Sequence, residues 1–336
     1  MTSDEIRAPL SRRHVLSLAM GMGVFSLPVV SASTGVAAQA MPARLFEWTG
    51  TALGAPARIL IAHPDRVAAR SAIHRAVMEL ERLENEFSLY RDGSAISRLN
   101  RDGVLVAPSM DMRFLLSLSK NIGGLSNGAF DVTVQPLWAL LAEHLSSSPQ
   151  DGHGPSLQTL QHHKALINFR RIDISADRVR LGDGMAVTLN GIAQGYVTDR
   201  VAALLKTSGL VNALVELGET YGAGQHSRSR QWQVDVLGSA PGQPIALGGC
   251  GLAVSATRGT VFTQHVNLSH LLNPITGQPT SNHRTVYVTH ASTTIADALS
   301  TALCIIPTEQ APRLVKRFPG ARAFEITPQG VHTPLI

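Results

Sequence analysis

Between Pro64 and Phe87, apolar residues recur at helical spacing: Ile73, Val77, Leu80, Leu83 and Phe87. This spacing predicts one long helix with an apolar stripe. The run before it, Leu45 to Ala62, reads as a hairpin turning near Gly54. Helical patterns also cover Met110 to Asn121, Pro136 to Leu145 and Ile192 to Thr207, the last stopped by Gly209. Short β-rich runs gather in the second half: Ile167 to Ile174, Val179 to Leu181, Ala213 to Leu217, Trp232 to Leu237, Leu252 to Ser255, His265 to Leu272 and Thr285 to Thr289. Helices and strands do not alternate regularly. The pattern therefore predicts an α+β fold with mainly antiparallel sheets rather than a doubly wound parallel one.

Ser292 to Leu303 carries the first chemical signal. Ser292 is a candidate N-cap, and Ile295, Leu299, Ala302 and Leu303 form an apolar stripe that seats a helix. Asp297 and Thr301 lie one turn apart and point the same way, so a carboxylate and a hydroxyl stand side by side. Such a pair suits a hard cation, and equally suits solvation or local hydrogen bonding.

At the amino terminus, Arg12 and Arg13 precede an apolar stretch from Val15 to Val30, and Ala38-Gln39-Ala40 follows. Residues 1–40 read as a Tat-type export signal cleaved after Ala40, with residues 41–336 forming one domain in the periplasm. Gly21, Gly23 and Pro28 interrupt the stretch and argue against a permanent membrane span, and no cysteine near the cleavage site offers a lipid anchor. The apolar fraction of 44% supports a packed core, and the formal charge of +5 includes the leader's own arginines. No later basic block with interleaved aromatics points to nucleic acid. Two cysteines, Cys250 and Cys304, do not by themselves establish a disulfide. Ser146 to Pro155, rich in turn formers, reads as a surface loop.

Four further segments qualify as chemical. Phe87 and Tyr90 place aromatics at a helix exit, ahead of Ser94-Ala95-Ile96-Ser97-Arg98-Leu99-Asn100; they face a planar ligand or complete the core. Gly128-Ala129-Phe130-Asp131-Val132-Thr133 contains a glycine that permits close backbone approach. Leu189-Asn190-Gly191-Ile192-Ala193-Gln194-Gly195-Tyr196 joins a β-rich segment to a helix, with two glycines that leave backbone groups open to a ligand. His270-Leu271-Leu272-Asn273-Pro274-Ile275-Thr276-Gly277 sets a histidine at a strand end, where a surface residue or a base would stand.

In this order and spacing, these segments resemble the ApbE family of FAD:protein FMN transferases over nearly the whole chain after residue 40. The family's Phe-Ser-x-Tyr pattern and its Ser-Ile-Ser-x-x-Asn run are matched over Phe87 to Asn100, with Ala95 in place of the first serine of the run, and its Gly-x-Phe-Asp-Val-Thr at Gly128 to Thr133. Gly-Ile-Ala-x-Gly is matched at Gly191 to Gly195, His-x-x-x-Pro-x-Thr-Gly at His270 to Gly277, and Ala-Asp-Ala-x-x-Thr-Ala at Ala296 to Ala302. Thr188 and Gln194 depart from it, standing where the family commonly has Asp and Lys. The Leu-Asn-Gly-Ile-Ala-Gln-Gly-Tyr phrase and the leader look most like its nitrous-oxide-reduction accessory branch (NosX).

The resemblance implies a single T-fold-like catalytic domain that transfers FMN from FAD to a Thr or Ser of an acceptor protein and releases AMP. It implies Mg²⁺ held by the side chains of Asp297 and Thr301 and the carbonyl of Gly191, with His270 as the base. Leu53, Tyr90, Ala129, Phe130, Asp131, Thr188, Gln194 and Leu271 are the implied flavin-nucleotide contacts. The implied partner is a membrane-bound electron-transfer regulator, reached after export by the Tat machinery. Two other readings stand beside it: a Mg²⁺-dependent FAD pyrophosphatase, and a non-catalytic periplasmic flavin carrier.

Overall fold

Leu53 and Gly54, both at positive φ (48° and 83°), reverse the chain between β1 (Arg44–Ala52) and β2 (Ala55–His63), which pair antiparallel from Ala52↔Ala55 to Arg44↔His63. A two-residue turn with both residues left-handed matches the twist of the flanking strands. The hairpin expected from the sequence is therefore present. The structure, a computed structural model, describes residues 44–147, 155–226, 230–257, 261–263, 266–269, 271–280 and 284–336. The expected leader with its expected 40/41 boundary, His265 and His270 lie outside the described residues, as does most of the expected loop at 146–155.

Helix α1 (Arg66–Phe87) starts at Asp65, whose carboxylate accepts from the amides of Val67 (2.7 Å) and Ala68 (3.2 Å). Its buried line is Ala69, Ala72, Ala76, Leu80, Leu83 and Phe87. Ile73 and Val77 sit half-buried at the flank, so the expected stripe is rotated toward the alanines. Small side chains let α1 approach its neighbours closely. Helix α2 (Ala95–Asp102) follows, capped by Ser94 and ended by Gly103 at φ 69°. Polar residues had hidden this helix in the sequence. Helices α3 (Met110–Leu125), α4 (Gln135–Ser147) and α5 (Leu157–Lys164) come next, then α6 (Ala193–Thr207).

The predicted strand at 167–174 is instead a 3₁₀ turn, Phe169–Arg171, followed by a two-residue strand, Asp173–Ile174. Asn168 caps the turn by accepting from the Arg170 amide at 3.1 Å, a local bond that competes with strand pairing. The predicted strand from Trp232 ends at Val234.

Six further strands complete the largest sheet: β3 (Ala213–Leu217), β4 (Thr220–Ala223), β5 (Cys250–Ala256), β6 (Thr285–His290), β7 (Arg322–Ile326) and β8 (His332–Pro334), while shorter strands, among them Val104–Val106 and Arg178–Arg180, pair in small two- and three-stranded sheets. Between β6 and β7 run α7 (Thr293–Ile305) and the short α8 (Ala311–Val315). The eight strands lie in chain order, each antiparallel to its neighbours, so the α+β expectation holds. Alternation along the strands divides the apolar residues between two cores. Ile59, Ile61, Val215, Leu217, Ala253, Val286 and Val288 join the large core that includes the buried residues of α1, α6 and α7. Leu60, Leu214, Leu252, Tyr287 and Ile326 share a second cluster with Trp232, Val234 and Leu247. Both cysteines are free thiols.

Candidate active site

Helix α7 is fixed to α6 through one carboxylate. Asp199 accepts from Ser292 Oγ (2.7 Å), the amides of Thr293 (2.8 Å) and Thr294 (2.9 Å), and Thr294 Oγ1 (2.6 Å). A negative side chain at a helix N-terminus satisfies otherwise unpaired N–H groups and complements the helix dipole. Ser292 is the N-cap, as expected.

Gly195 lies where α6 meets α7. A Cβ there would sit 2.4 Å from the Thr293 carbonyl oxygen and 2.8 Å from Asp297 Cβ, so only glycine permits this approach. Its N–H donates to Asp297 Oδ2 at 2.9 Å. This corrects the expectation that Gly195 opens the backbone to a ligand: its space is filled by α7. Gly191 differs, because its missing Cβ would lie 3.0 Å from Thr301 Oγ1 and 3.3 Å from Phe130 Cε2. Gly191, Asp297 and Thr301 are thus assembled along one face of α7.

Asp297 is 2% exposed, and burial pushes its carboxyl up to about 7, against the favourable Gly195 N–H and with help from the Asp199 charge. Among the described residues, the other Asp297 oxygen has no hydrogen-bond donor. Glu219, at the turn between β3 and β4, is a second buried acid. Its Oε2 accepts from the Val254 amide at 3.1 Å, and its carboxyl is pushed well up by burial and then by the Asp297 charge. Neither acid has a Lys or Arg salt-bridge partner among the described residues. A buried carboxylate without a cationic partner, Asp297, on the same helix face as the Thr301 hydroxyl against which the Gly191 backbone packs, is a donor set that fits a hard divalent cation. Glu219 escaped the sequence reading, since Gly218-Glu219-Thr220 between two apolar strands looks like an ordinary surface turn.

The Gly128 to Thr133 segment is a structural turn. Asn127 and Gly128 take positive φ (54° and 86°) at the end of α3. Asp131 Oδ1 accepts from the amide (2.8 Å) and hydroxyl (2.6 Å) of Thr133, and Oδ2 accepts from the Phe169 amide (3.1 Å). Burial, the largest influence, pushes its carboxyl up despite these donors. Ala129 and Phe130 are buried in the large core. All three side chains therefore face inward, and the Asp131 carboxylate is committed to Thr133 and Phe169.

The remaining expected contacts are placed by local bonds. Thr188 donates its amide to Val132 O at 2.7 Å, and its Oγ1 accepts from the Asn190 amide at 3.3 Å. Asn100 holds the preceding residue from both sides, donating to Val187 O (2.8 Å) and accepting from Val187 N (2.7 Å). The Gln194 amide group lies over Gly218, where a Cβ would come within 2.4 Å of it. Leu53, 2% exposed, donates its amide to Glu84 Oε1 at 2.7 Å. Tyr90 is half-buried, and burial pushes its hydroxyl up. Leu271 packs against the same core as Leu53, Ala129 and Phe130, and its carbonyl accepts from the Thr280 amide (2.9 Å) and hydroxyl (3.1 Å). Strand segments Val266–Ser269 and Leu272–Asn273 flank position 270. Leu272 is buried against Leu137, Trp138 and Leu141, and Asn273 Oδ1 accepts from the amides of Ile275 (2.9 Å) and Thr276 (3.2 Å), which braces the following turn.

A model of the ApbE family matches residues 53–324, and this chain belongs to that family. The chain is 27% identical over 269 residues to the FAD:protein FMN transferase of Escherichia coli (strain K12), covering 75% of each chain. It is 27% identical over 282 residues to the FAD:protein FMN transferase of Vibrio cholerae serotype O1, covering 80% of this chain and 84% of that one. Among solved structures, the flavinyl transferase ApbE of Pseudomonas stutzeri, in its apo form, is 27% identical with a TM-score of 0.74 over 88% of this chain and 97% of that one. The flavin transferase ApbE of Vibrio cholerae superposes with the same TM-score of 0.74 at 23% identity, over 87% and 97% of the two chains, and so supports the fold.

Proposed function

We propose that this chain is an FAD:protein FMN transferase, which attaches FMN through a phosphoester to a Thr or Ser of an acceptor protein and releases AMP. The observation that carries the reading is the buried Asp297 carboxylate, held by Gly195 and set beside Thr301 and Gly191 by the close meeting of α6 and α7. It is supported by membership of the family and by the relatives, which are FAD:protein FMN transferases. Asp297, Thr301 and the Gly191 carbonyl would hold Mg²⁺, which offsets negative charge on the pyrophosphate.

In this proposal the acceptor hydroxyl oxygen bonds to the phosphorus on the FMN side. The bond from that phosphorus to the bridging oxygen breaks, and AMP leaves with the electron pair. His270 takes the hydroxyl proton. The backbone of the Gly128 to Asp131 turn, with Leu53, Tyr90, Thr188, Gln194 and Leu271, forms the proposed flavin-nucleotide contact surface. The leader at residues 1–40 supports export by the Tat machinery to the periplasm. The Leu189 to Tyr196 phrase supports the nitrous-oxide-reduction accessory branch, with a membrane-bound electron-transfer regulator as acceptor.

Mass spectrometry of a candidate acceptor, after incubation with this protein, FAD and Mg²⁺, tests the proposal. The expected result is one FMN-phosphoester adduct on a Thr or Ser with equimolar AMP. Release of FMN and AMP with an unmodified acceptor would identify hydrolysis instead.

A further inference from the structure

Ser255, half-buried on β5, lies 2.8 Å from Ser300 Oγ and 3.3 Å from Thr301 Oγ1 through its own Oγ. Ser300, fully buried at 0% exposure, reaches the Asp297 carbonyl oxygen at 2.9 Å. A carbonyl only accepts, and a hydroxyl carries one proton. Ser300 therefore donates to Asp297 O. It follows that Ser255 donates to Ser300, and Thr301 donates to Ser255. The acceptor at the end of the row fixes the direction of every bond in it.

We propose that Ser255, acting with Ser300, is a positioning residue that turns the Thr301 hydroxyl proton away from the cation site and presents the oxygen lone pairs to the cation. This rests on Thr301 being a cation ligand. A helical threonine ordinarily turns its proton back to the carbonyl three or four residues earlier. Here the carbonyl four residues earlier, that of Asp297, already receives Ser300. With its proton on the Ser255 side, Thr301 keeps both lone pairs for the side on which Gly191 approaches, where a Cβ would lie 3.0 Å from Oγ1.

Ser255 is itself held on both sides. The Val254 amide donates to Glu219 Oε2 at 3.1 Å, and Cys304 Sγ donates to the Ser255 carbonyl at 3.2 Å. The buried acid missed in the sequence thus has a place in the same framework: it fastens the strand that carries Ser255. Partners that orient a metal ligand are typically worth about 10–100-fold in metal affinity.

Titration of the full chain with Mn²⁺, with free Mn²⁺ followed by electron paramagnetic resonance in the presence of FAD, tests the inference. Ser255→Ala should weaken Mn²⁺ binding by about 10–100-fold with an unchanged melting temperature. Ser255→Thr, which keeps a hydroxyl on a strand-compatible side chain, should restore it. Thr301→Ala should show at least as large a loss, and the Ser255→Ala/Thr301→Ala pair no loss beyond Thr301→Ala alone, because Ser255 acts only through Thr301. Wild-type Mn²⁺ affinity in Ser255→Ala, additive losses in the pair, or equal losses in Ser255→Ala and Ser255→Thr would each overturn the positioning role. Wild-type affinity in Thr301→Ala would instead overturn the cation reading on which it rests.

Discussion

Gly195 donates its backbone N–H to Asp297 Oδ2 at 2.9 Å across 102 residues of sequence, and a Cβ on Gly195 would come within 2.8 Å of Asp297 Cβ. One position therefore sets both the spacing of α6 against α7 and the orientation of the carboxylate. Gly195→Ala is expected to force the helices apart, at a cost of about 1–3 kcal/mol for overpacking, and to weaken divalent-cation binding at the same time. Thermal denaturation and Mn²⁺ titration check the two effects together. A variant with wild-type cation affinity would show that the carboxylate is oriented by something else.

Asp297→Ala is expected to abolish Mg²⁺-dependent turnover. Thr301→Ala should retain partial activity at high Mg²⁺, because a neutral hydroxyl contributes less than a carboxylate to a hard dication. A Mg²⁺ titration of both variants measures the order of severity. Wild-type turnover in Asp297→Ala across the titration would remove α7 from the cation site.

His270→Ala is expected to slow transfer to the acceptor by about 10²–10⁴-fold, the usual range for a positioned general base, while FAD and Mg²⁺ binding stay near wild type. His265→Ala is the control and should transfer normally. Single-turnover kinetics separate chemistry from binding. A normal rate in His270→Ala, or the loss appearing in His265→Ala alone, would reassign the base.

Acid stability should report on the network that ties α1, α3 and α6 together. Asp111 accepts from Tyr196 OH and bridges Arg82 (2.7 Å) and Arg200 (3.1 Å), while Glu79 bridges Arg82 (2.8 Å) and Arg200 (3.2 Å). Burial alone would raise the Asp111 carboxyl, but the Tyr196 hydroxyl and the two guanidinium groups hold it below its ordinary 3.8; Arg82 hydrogen bonding holds Glu79 below its ordinary 4.5. Both groups favour the folded state when ionised. Their contribution is present above those ordinary values and is lost as pH falls through the lowered folded ones. The melting temperature should therefore drop on acidification below about pH 4, and Asp111→Asn should start lower at neutral pH and drop less. Parallel slopes for the two proteins would place the acid sensitivity elsewhere.

The sequence by itself determined what depends on neighbours along the chain. Turn residues and alternation marked the β1–β2 hairpin, helical periodicity marked α1, α3, α4 and α6, and Ser292 marked the start of α7. The Asp297 and Thr301 pair was legible for the same reason, since helical geometry alone puts residues four apart on one face. Tertiary structure decided the rest. Whether α1 buried its alanines or its Ile73 and Val77 depended on how closely α6 and the sheet approach, which periodicity does not encode. One of the two Asp131 oxygens is taken by the amide of Phe169, 38 residues away. Gly195 looked open until α7 filled the space beside it. Glu219 and Ser255 gave no local sign at all, because their partners lie 35 residues away at Val254, and 45 and 46 residues away at Ser300 and Thr301. A hydrogen bond between distant residues is set by the packing of the elements that carry them, and spacing within either element leaves it undetermined.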